Sequence, residues 1–502
     1  MTNPLYDRLF GQHLGNDRAF LILPDGSTIS FDGFLRMAHR YANLLTARGL
    51  APGDRVAMQV PKSPEALAVT AAAVAAGIVF LPLNTAYTAP ELDYFIGNSG
   101  AGLVLCDPAS ESALAPIASR HGASLMTLGA KGEGSFPAAA EGLPETFAPV
   151  ERTREDLAAL LYTSGTTGRS KGAMLTQNNL LSNAEALADL WRFTRDDVLL
   201  HALPIFHTHG LFVATNTCLL AGAQMILMPK FNTAEALRLL PQATVMMGVP
   251  TFYTRLLDDP GFDRAATAHM RLFVSGSAPL LADTHRQFED RTGHRILERY
   301  GMTETNMTCS NPYEGERRPG TVGFALPEVE IRVCDPSGKE LPQGEIGTLE
   351  VRGPNVFSGY WQMPEKTAAE FRPDGFFITG DLSRIDADGY VHIVGRGKDL
   401  IISGGFNVYP KEIEELLDAQ PGVLESAVIG VPHPDFGEVA VGLLAREPGA
   451  APDLAAIEAD LAAKLARFKH PKRLIVVDEL PRNTMGKVQK AALRAEHAGL
   501  FA

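Results

Sequence analysis

Tyr162-Thr-Ser-Gly-Thr-Thr-Gly-Arg-Ser-Lys-Gly172 is the stretch on which the reading of this chain turns. An apolar run, Ala158 to Tyr162, leads into it, and a helical pattern around Asn178 to Leu190 follows. Gly165, Gly168 and Gly172 let a backbone approach an anion closely. The hydroxyls of Thr163, Ser164, Thr166 and Thr167 donate hydrogen bonds, and Lys171 adds charge. This is not a Walker A loop, which needs Gly-Lys-Ser/Thr in succession; here Lys171 lies three residues beyond Gly168. A flexible surface loop is the plainer alternative, and the unbroken run of phosphate-compatible residues argues against it.

Outward from this loop, strand-like and helix-like segments alternate through the N-terminal two-thirds. Ser63-Pro64-Glu65 reads as cap, first turn and dipole-favourable acid of a helix that stops near Gly77. Ile78 to Leu83, Val198 to Leu203, Met225 to Met228, Thr244 to Val249, Leu272 to Val274 and Ile296 to Tyr300 read as strands, and the Ala/Gly/Pro-rich stretch 128–150 as a loop. Such alternation predicts α/β layers with mainly parallel strands. After about residue 320 the period becomes two, in Glu330 to Cys334, Ile346 to Arg352 and Tyr390 to Val394, which predicts a small antiparallel unit. From Pro410 a compact unit of mixed helix and strand follows. The expected fold is therefore α/β: a large N-terminal domain of layered sheets with a small β subdomain, residues 1–396, and a small mobile α+β C-terminal domain, residues 397–502. Gly395-Arg-Gly-Lys-Asp399 is the joint.

Composition narrows the function. The 502 residues are 45% hydrophobic, with no apolar run of the roughly 20 residues a bilayer crossing needs and no secretory pattern at the N-terminus. Four isolated cysteines, 106, 218, 309 and 334, form no C-x-x-C pair, which points to a reducing, cytoplasmic setting. A formal charge of −13 argues against nucleic acid or anionic membrane as partner. Anionic small molecules would need local basic groups, and nine Lys/Arg stand against three Asp/Glu from Lys464 onward. No obligatory protein partner is evident.

The phosphate-compatible loop does not stand alone. Tyr300-Gly-Met-Thr-Glu304, Thr379-Gly-Asp381, Gly395-Arg396, Ser403-Gly-Gly-Phe-Asn407 and Pro481-Arg-Asn-Thr-Met-Gly-Lys487 follow in fixed order. Together with Thr163 to Gly172 they resemble the AMP-forming acyl- and aryl-CoA synthetases over nearly the whole chain. The resemblance implies ATP and CoA as co-substrates and Mg²⁺ as cofactor. It implies that Thr163, Ser164, Gly165, Thr166, Thr167, Gly168 and Lys171 hold phosphates. It further implies that Gly276, Ser277 and Ala278 line the adenine pocket, with Glu298, Arg299, Tyr300, Gly301 and Met302 on its other side. Thr303 would bond the α-phosphate, Glu304 with Thr167 would hold Mg²⁺, and Asp381 and Arg396 would take the ribose. Lys487 would reach the reacting carboxylate, Lys398 would be the hinge, and Ser403, Gly404 and Gly405 would serve the thiol half-reaction. Arg467 and Lys469 are candidates for CoA phosphates or, equally, an ordinary solvated face.

Two stretches narrow the acid. Pro204-Ile-Phe-His-Thr-His-Gly210 and Gly248-Val-Pro-Thr-Phe-Tyr-Thr-Arg255 are not purely apolar. A second carboxylate in a buried pocket requires a paired cation, and Arg255 is the candidate. His207-Thr-His209, Thr251 to Leu257, Gly301 to Met307 and Asn483 to Gln489 are similar to the bacterial malonyl-CoA synthetases. That likeness makes malonate the expected acid, with His207, Thr208, Ser277 and Met307 around it and residues 208 and 307 setting whether methylmalonate fits. His207 and His209 lack a third ligand cluster, so a metal pair is not expected. A ligase for another short acid, acyl transfer to a carrier-protein thiol and a catalytically dead nucleotide binder remain as alternatives.

Overall fold

The computed structural model describes residues 3–163, 170–403, 406–483 and 486–501. The signal at Ser63 builds the helix it announces. Pro64–Ala76 starts with the Ser63 hydroxyl accepting from the Ala66 N–H at 3.1 Å and ends at Gly77, in the left-handed conformation at φ 68°. Its alanines and valines are buried on nearly every face, as befits a helix without a polar stripe, and it packs against Phe31–Ala47.

Among the described residues two large sheets form the N-terminal body. The first has six strands, in the order Ser124–Thr127, Leu103–Cys106, Arg55–Gln59, Val79–Pro82, Leu157–Thr163 and Lys171–Thr176. All neighbours are parallel except the last pair, a hairpin that sets Thr163 opposite Lys171. The second has nine, in the order Phe324–Ala325, Asn306–Ser310, Leu297–Met302, Leu272–Ser275, Val245–Gly248, Val198–His201, Gln224–Leu227, Ala19–Ile22 and Thr28–Ser30. Its strands from Leu297–Met302 to Ala19–Ile22 are parallel, and antiparallel pairs close both ends. The strands carrying Ser277, Arg299, Pro250 and His207 therefore discharge at one edge, the position where open α/β sheets place ligands. A continuous apolar core joins both sheets through the helices between them.

The period-two segments form the antiparallel sheet Glu330–Cys334, Gly347–Arg352, Phe377–Ile385 and Val391–Arg396. Beyond it, Phe406–Val408, Ile401–Ser403, Gly437–Arg446, Val423–His433 and Arg473–Val477 make a separate sheet. Helices Pro410–Asp418, Leu454–Lys464 and Lys490–His497 accompany it, with two cores of their own.

Two details differ from the sequence reading. The stretch 128–150 contains a short helix, Ser135–Ala140, whose Phe136 is fully buried. The phosphate-compatible loop joins two antiparallel strands before the helix Gln177–Leu190 begins. Lys171–Thr176 holds as a strand through pairing with its hairpin partner, a contact that local sequence does not reveal.

Candidate active site

The sites read from sequence converge at the discharge edge of the nine-stranded sheet. Strands Leu297–Met302 and Asn306–Ser310 form a hairpin whose turn holds Thr303 and Glu304. Gly301 is required there, because a Cβ would lie 1.9 Å from the Asn306 carbonyl oxygen. The Glu304 carboxyl is buried, and its Oε1 accepts from the Thr163 hydroxyl at 3.3 Å and stands 3.1 Å from the Tyr360 phenol oxygen. Burial raises its proton affinity. Thr303 is partly exposed beside it. Ser164, Gly165, Thr166, Thr167 and Gly168 lie outside the described residues; Thr163 and Lys171, which flank them, face each other across the hairpin.

On the adjoining antiparallel sheet Asp381 is register-paired with Arg396, and Nε meets Oδ1 at 2.6 Å. The Tyr300 phenol donates to the other Asp381 oxygen. Gly276, Ser277 and Ala278 form the turn after Leu272–Ser275, with Ser277 at φ 71°. Glu298 supports that turn by accepting the Leu280 N–H at 3.3 Å, and its burial pushes its pKa up to about 7.

The opposite side of the same strand holds a cation without a partner. Successive side chains of a strand point to opposite faces, so Arg299 diverges from Glu298 and Tyr300. It is 3% exposed, and its Nε and Nη2 have no hydrogen-bond partner. Desolvation brings its pKa down to about 9. A Cβ at 276 would stand 2.3 Å from the Arg299 guanidinium carbon, so a larger residue there requires that guanidinium to move. Nearby, the Thr208 hydroxyl and His209 Nε2 are also buried without partners, while His209 Nδ1 meets the Ser277 hydroxyl at 3.2 Å. His207 is pushed down to about 4, first by burial and then by the charges of Arg299 and Lys487, so it is neutral. Met307 is buried and its methyl overlies Gly301. Lys62 fixes the approach to this segment, giving hydrogen bonds to His201 Nδ1 at 2.7 Å and to the His201 and Leu203 carbonyls at 2.8 Å.

Arg255 occupies another place than the one its role as buried clamp requires. It is exposed near the end of helix Pro250–Leu257 and lines a cavity of about 220 Å³ with Thr251, Phe252 and, from the small body, Arg482, Asn483 and Gly486. The buried guanidinium is Arg299. The sequence reading sets it on the adenine side, across from Gly276, and its guanidinium does stand against Gly276.

The small body delivers Lys487 to the same space. The lysine keeps an exposed face, and desolvation, then the Arg396 charge, lowers its pKa while Asp381 partly restores it. Lys398 is exposed on the turn Gly397–Asp399, and Asp399 accepts from Arg494 at 2.7 Å. Ser403 is buried at the end of its strand, and Gly404 and Gly405 lie outside the described residues. Arg467 is exposed, whereas Lys469 is bound to Glu412 at 2.6 Å. No helix among the described residues is long and apolar enough to cross a membrane.

A nucleotide site on the large body, completed by a lysine that the small body inserts, is the arrangement of an adenylate-forming enzyme. The chain belongs to the AMP-binding enzyme family, which matches residues 11–361, with the family's C-terminal domain over residues 412–487. ATP-bound MatB from Rhodopseudomonas palustris superposes with a TM-score of 0.98 at 59% identity, both chains being covered in full. Feruloyl-CoA synthase of an Amycolatopsis species is 37% identical over 93% of this chain and 94% of its own. Mitochondrial malonate–CoA ligase ACSF3 of Bos taurus is 35% identical over 95% of this chain and 88% of its own. The chain is an AMP-forming acid–CoA ligase.

Proposed function

We propose that the acid is malonate and that the chain makes malonyl-CoA, AMP and diphosphate from ATP, malonate and CoA through a malonyl adenylate. The observation that carries this reading is Arg299, a buried guanidinium lacking an anion, in one space with Lys487. A buried unpaired charge costs several kcal/mol, and a substrate with two carboxylates offsets it. One carboxylate engages Arg299 while the other lies toward Lys487 and the α-phosphate. Neutral His207 adds no third positive charge, and Thr208 and Met307 close around the methylene. The malonate–CoA ligase of Bos taurus supports the same reading. The feruloyl-CoA synthase relative favours an aryl acid, which the unpaired guanidinium opposes.

The free carboxylate oxygen attacks the α-phosphorus and the bond to diphosphate breaks. A thiolate of CoA then attacks the acyl carbon, and AMP departs with the electron pair of the broken C–O bond. Thr303, Tyr300, Asp381 and Arg396 orient the nucleotide, and Lys487 offsets negative charge in the first step. Among the described residues no group of three or more His, Cys, Asp or Glu forms a metal cage. The Glu304 carboxylate beside the phosphate loop fits Mg²⁺, which takes one or two carboxylates and the substrate's phosphates; Thr167 is its second proposed ligand. Bound there, Mg²⁺ supplies charge neutralisation on the phosphates. We place the boundary between the two domains at 396/397, with Lys398 as hinge. Rotation about it withdraws Lys487 and brings Ser403, Gly404 and Gly405 to the thiol, with Arg467 rather than the engaged Lys469 free to meet a CoA phosphate. The four unpaired, buried cysteines suit a cytoplasmic setting.

AMP release with ATP, Mg²⁺ and CoA tests the acid across malonate, methylmalonate, succinate, acetate, butyrate and ferulate, in wild type, Arg299→Met and Arg255→Ala. Malonate preference that falls by about a hundredfold or more in Arg299→Met, and much less in Arg255→Ala, is the expected result. A wild type that prefers acetate or ferulate, with no loss in Arg299→Met, rejects malonate and leaves the ligase chemistry standing.

A further inference from the structure

Beside the phosphate loop lies a set of contacts that the reaction as derived above does not use. Glu370, the last residue of helix Pro364–Glu370, receives Lys171 Nζ on Oε1 at 3.1 Å and Lys366 Nζ on the same oxygen at 2.7 Å. Its Oε2 accepts the Tyr360 phenol at 2.6 Å. That phenol also stands 3.1 Å from Glu304 Oε1, and Lys171 Nζ lies 4.0 Å over the centre of the Tyr360 ring. Tyr360 is itself fixed: its N–H donates to the Thr367 hydroxyl at 2.9 Å, and its backbone bridges to Ala173 on the strand that carries Lys171. The side chains of Lys171 and Glu370 are only 12% and 20% exposed, so this is not a solvated surface pair.

We infer that Glu370 is a positioning residue for the adenylation half-reaction. It holds Lys171 at the rim of the phosphate site and draws the Tyr360 phenol proton to itself, beside the Glu304 carboxylate. The inference deepens the proposed function and rests on it. A lysine stem is long and flexible, and its ammonium binds phosphate as a point charge, so its usefulness depends on where it waits. Glu370 fixes the head and the Tyr360 ring supports it from below. A phenol has one proton, and the shorter contact identifies Glu370 as its acceptor. The Glu304 oxygen is thereby left for the metal that accompanies the triphosphate. Only the first half-reaction has a triphosphate to position, so loss of this support falls on that half alone.

Glu370→Gln keeps the shape and removes the charge; Tyr360→Phe keeps the ring and removes the hydroxyl that stands between Glu370 and Glu304. Both are assayed in two halves, malonate-dependent ATP–diphosphate exchange and thioester formation from supplied malonyl adenylate and CoA. For Glu370→Gln the KM for MgATP rises roughly five- to twentyfold, as loss of a charge-assisted contact predicts, with the malonate KM and the second half-reaction within about twofold of wild type. For Tyr360→Phe the half-saturating Mg²⁺ concentration in exchange rises about threefold or more. An unchanged KM for MgATP in Glu370→Gln overturns the inference, and so does an equal fall in both half-reactions, which marks a merely structural role. A wild type that supports no exchange with any acid overturns the function reading itself, and this inference with it.

Discussion

Three histidines around the acid site, His201, His207 and His209, are held neutral, and they tie stability to pH. Burial, then Lys62, pushes His201 down to about 3; burial, then Arg299, brings His207 to about 4 and His209 well below its usual value. Unfolded, each titrates near 6.5. Between the folded and unfolded values the unfolded chain binds more protons, so stability is complete above about pH 6.5 and is lost as pH falls. Urea unfolding at pH 7.0 and 5.5 is expected to show a loss of about 1 kcal/mol for each of the two fully buried rings, His201 and His209. A flat profile rejects their neutral burial. At this scale the sequence was legible where a motif fixed a residue's neighbours, as for Glu304, Asp381 and Arg396. It was less so for Arg299, whose role depends on which face of a strand it takes and on the glycine across from it.

Elements bounded by chemistry of their own were read to within a residue or two. Ser63 and Gly77 start and stop the helix Pro64–Ala76 by local hydrogen bonding, so no tertiary knowledge was needed. The strand Lys171–Thr176 and the helix Ser135–Ala140 were missed because pairing and the burial of Phe136 decide them. The same contrast separates two substitutions. Ser63→Ala removes a cap and is expected to cost about 1 kcal/mol in urea unfolding. Gly301→Ala forces the hairpin that presents Thr303 and Glu304 apart, since its Cβ meets the Asn306 carbonyl at 1.9 Å. Its ATP–diphosphate exchange is expected to fall about tenfold or more. Full exchange in that variant shows that the turn tolerates displacement.

For the molecule as a whole, the sequence shows two bodies, whereas the contact between them was not legible, since it pairs residues far apart in the chain. Gly486 of the small body approaches Thr251 of the large one: a Cβ at 486 would lie 4.0 Å from the Thr251 Cβ. That spacing is within disulfide range, at the strain of a cysteine held at φ 74°. Oxidised Thr251→Cys/Gly486→Cys is expected to retain exchange and to lose malonyl-CoA formation about tenfold or more, with reductant restoring it. Undiminished thioester formation in the cross-linked protein refutes the proposed rotation.

The contact between Gly276 and Arg299 also bears on descent. A side chain at 276 meets the tip of Arg299, so a lineage that fills 276 either swings that guanidinium to another rotamer or gives it up. The two positions are therefore expected to change together, and the order in which they change bears on which intermediates keep the guanidinium in place.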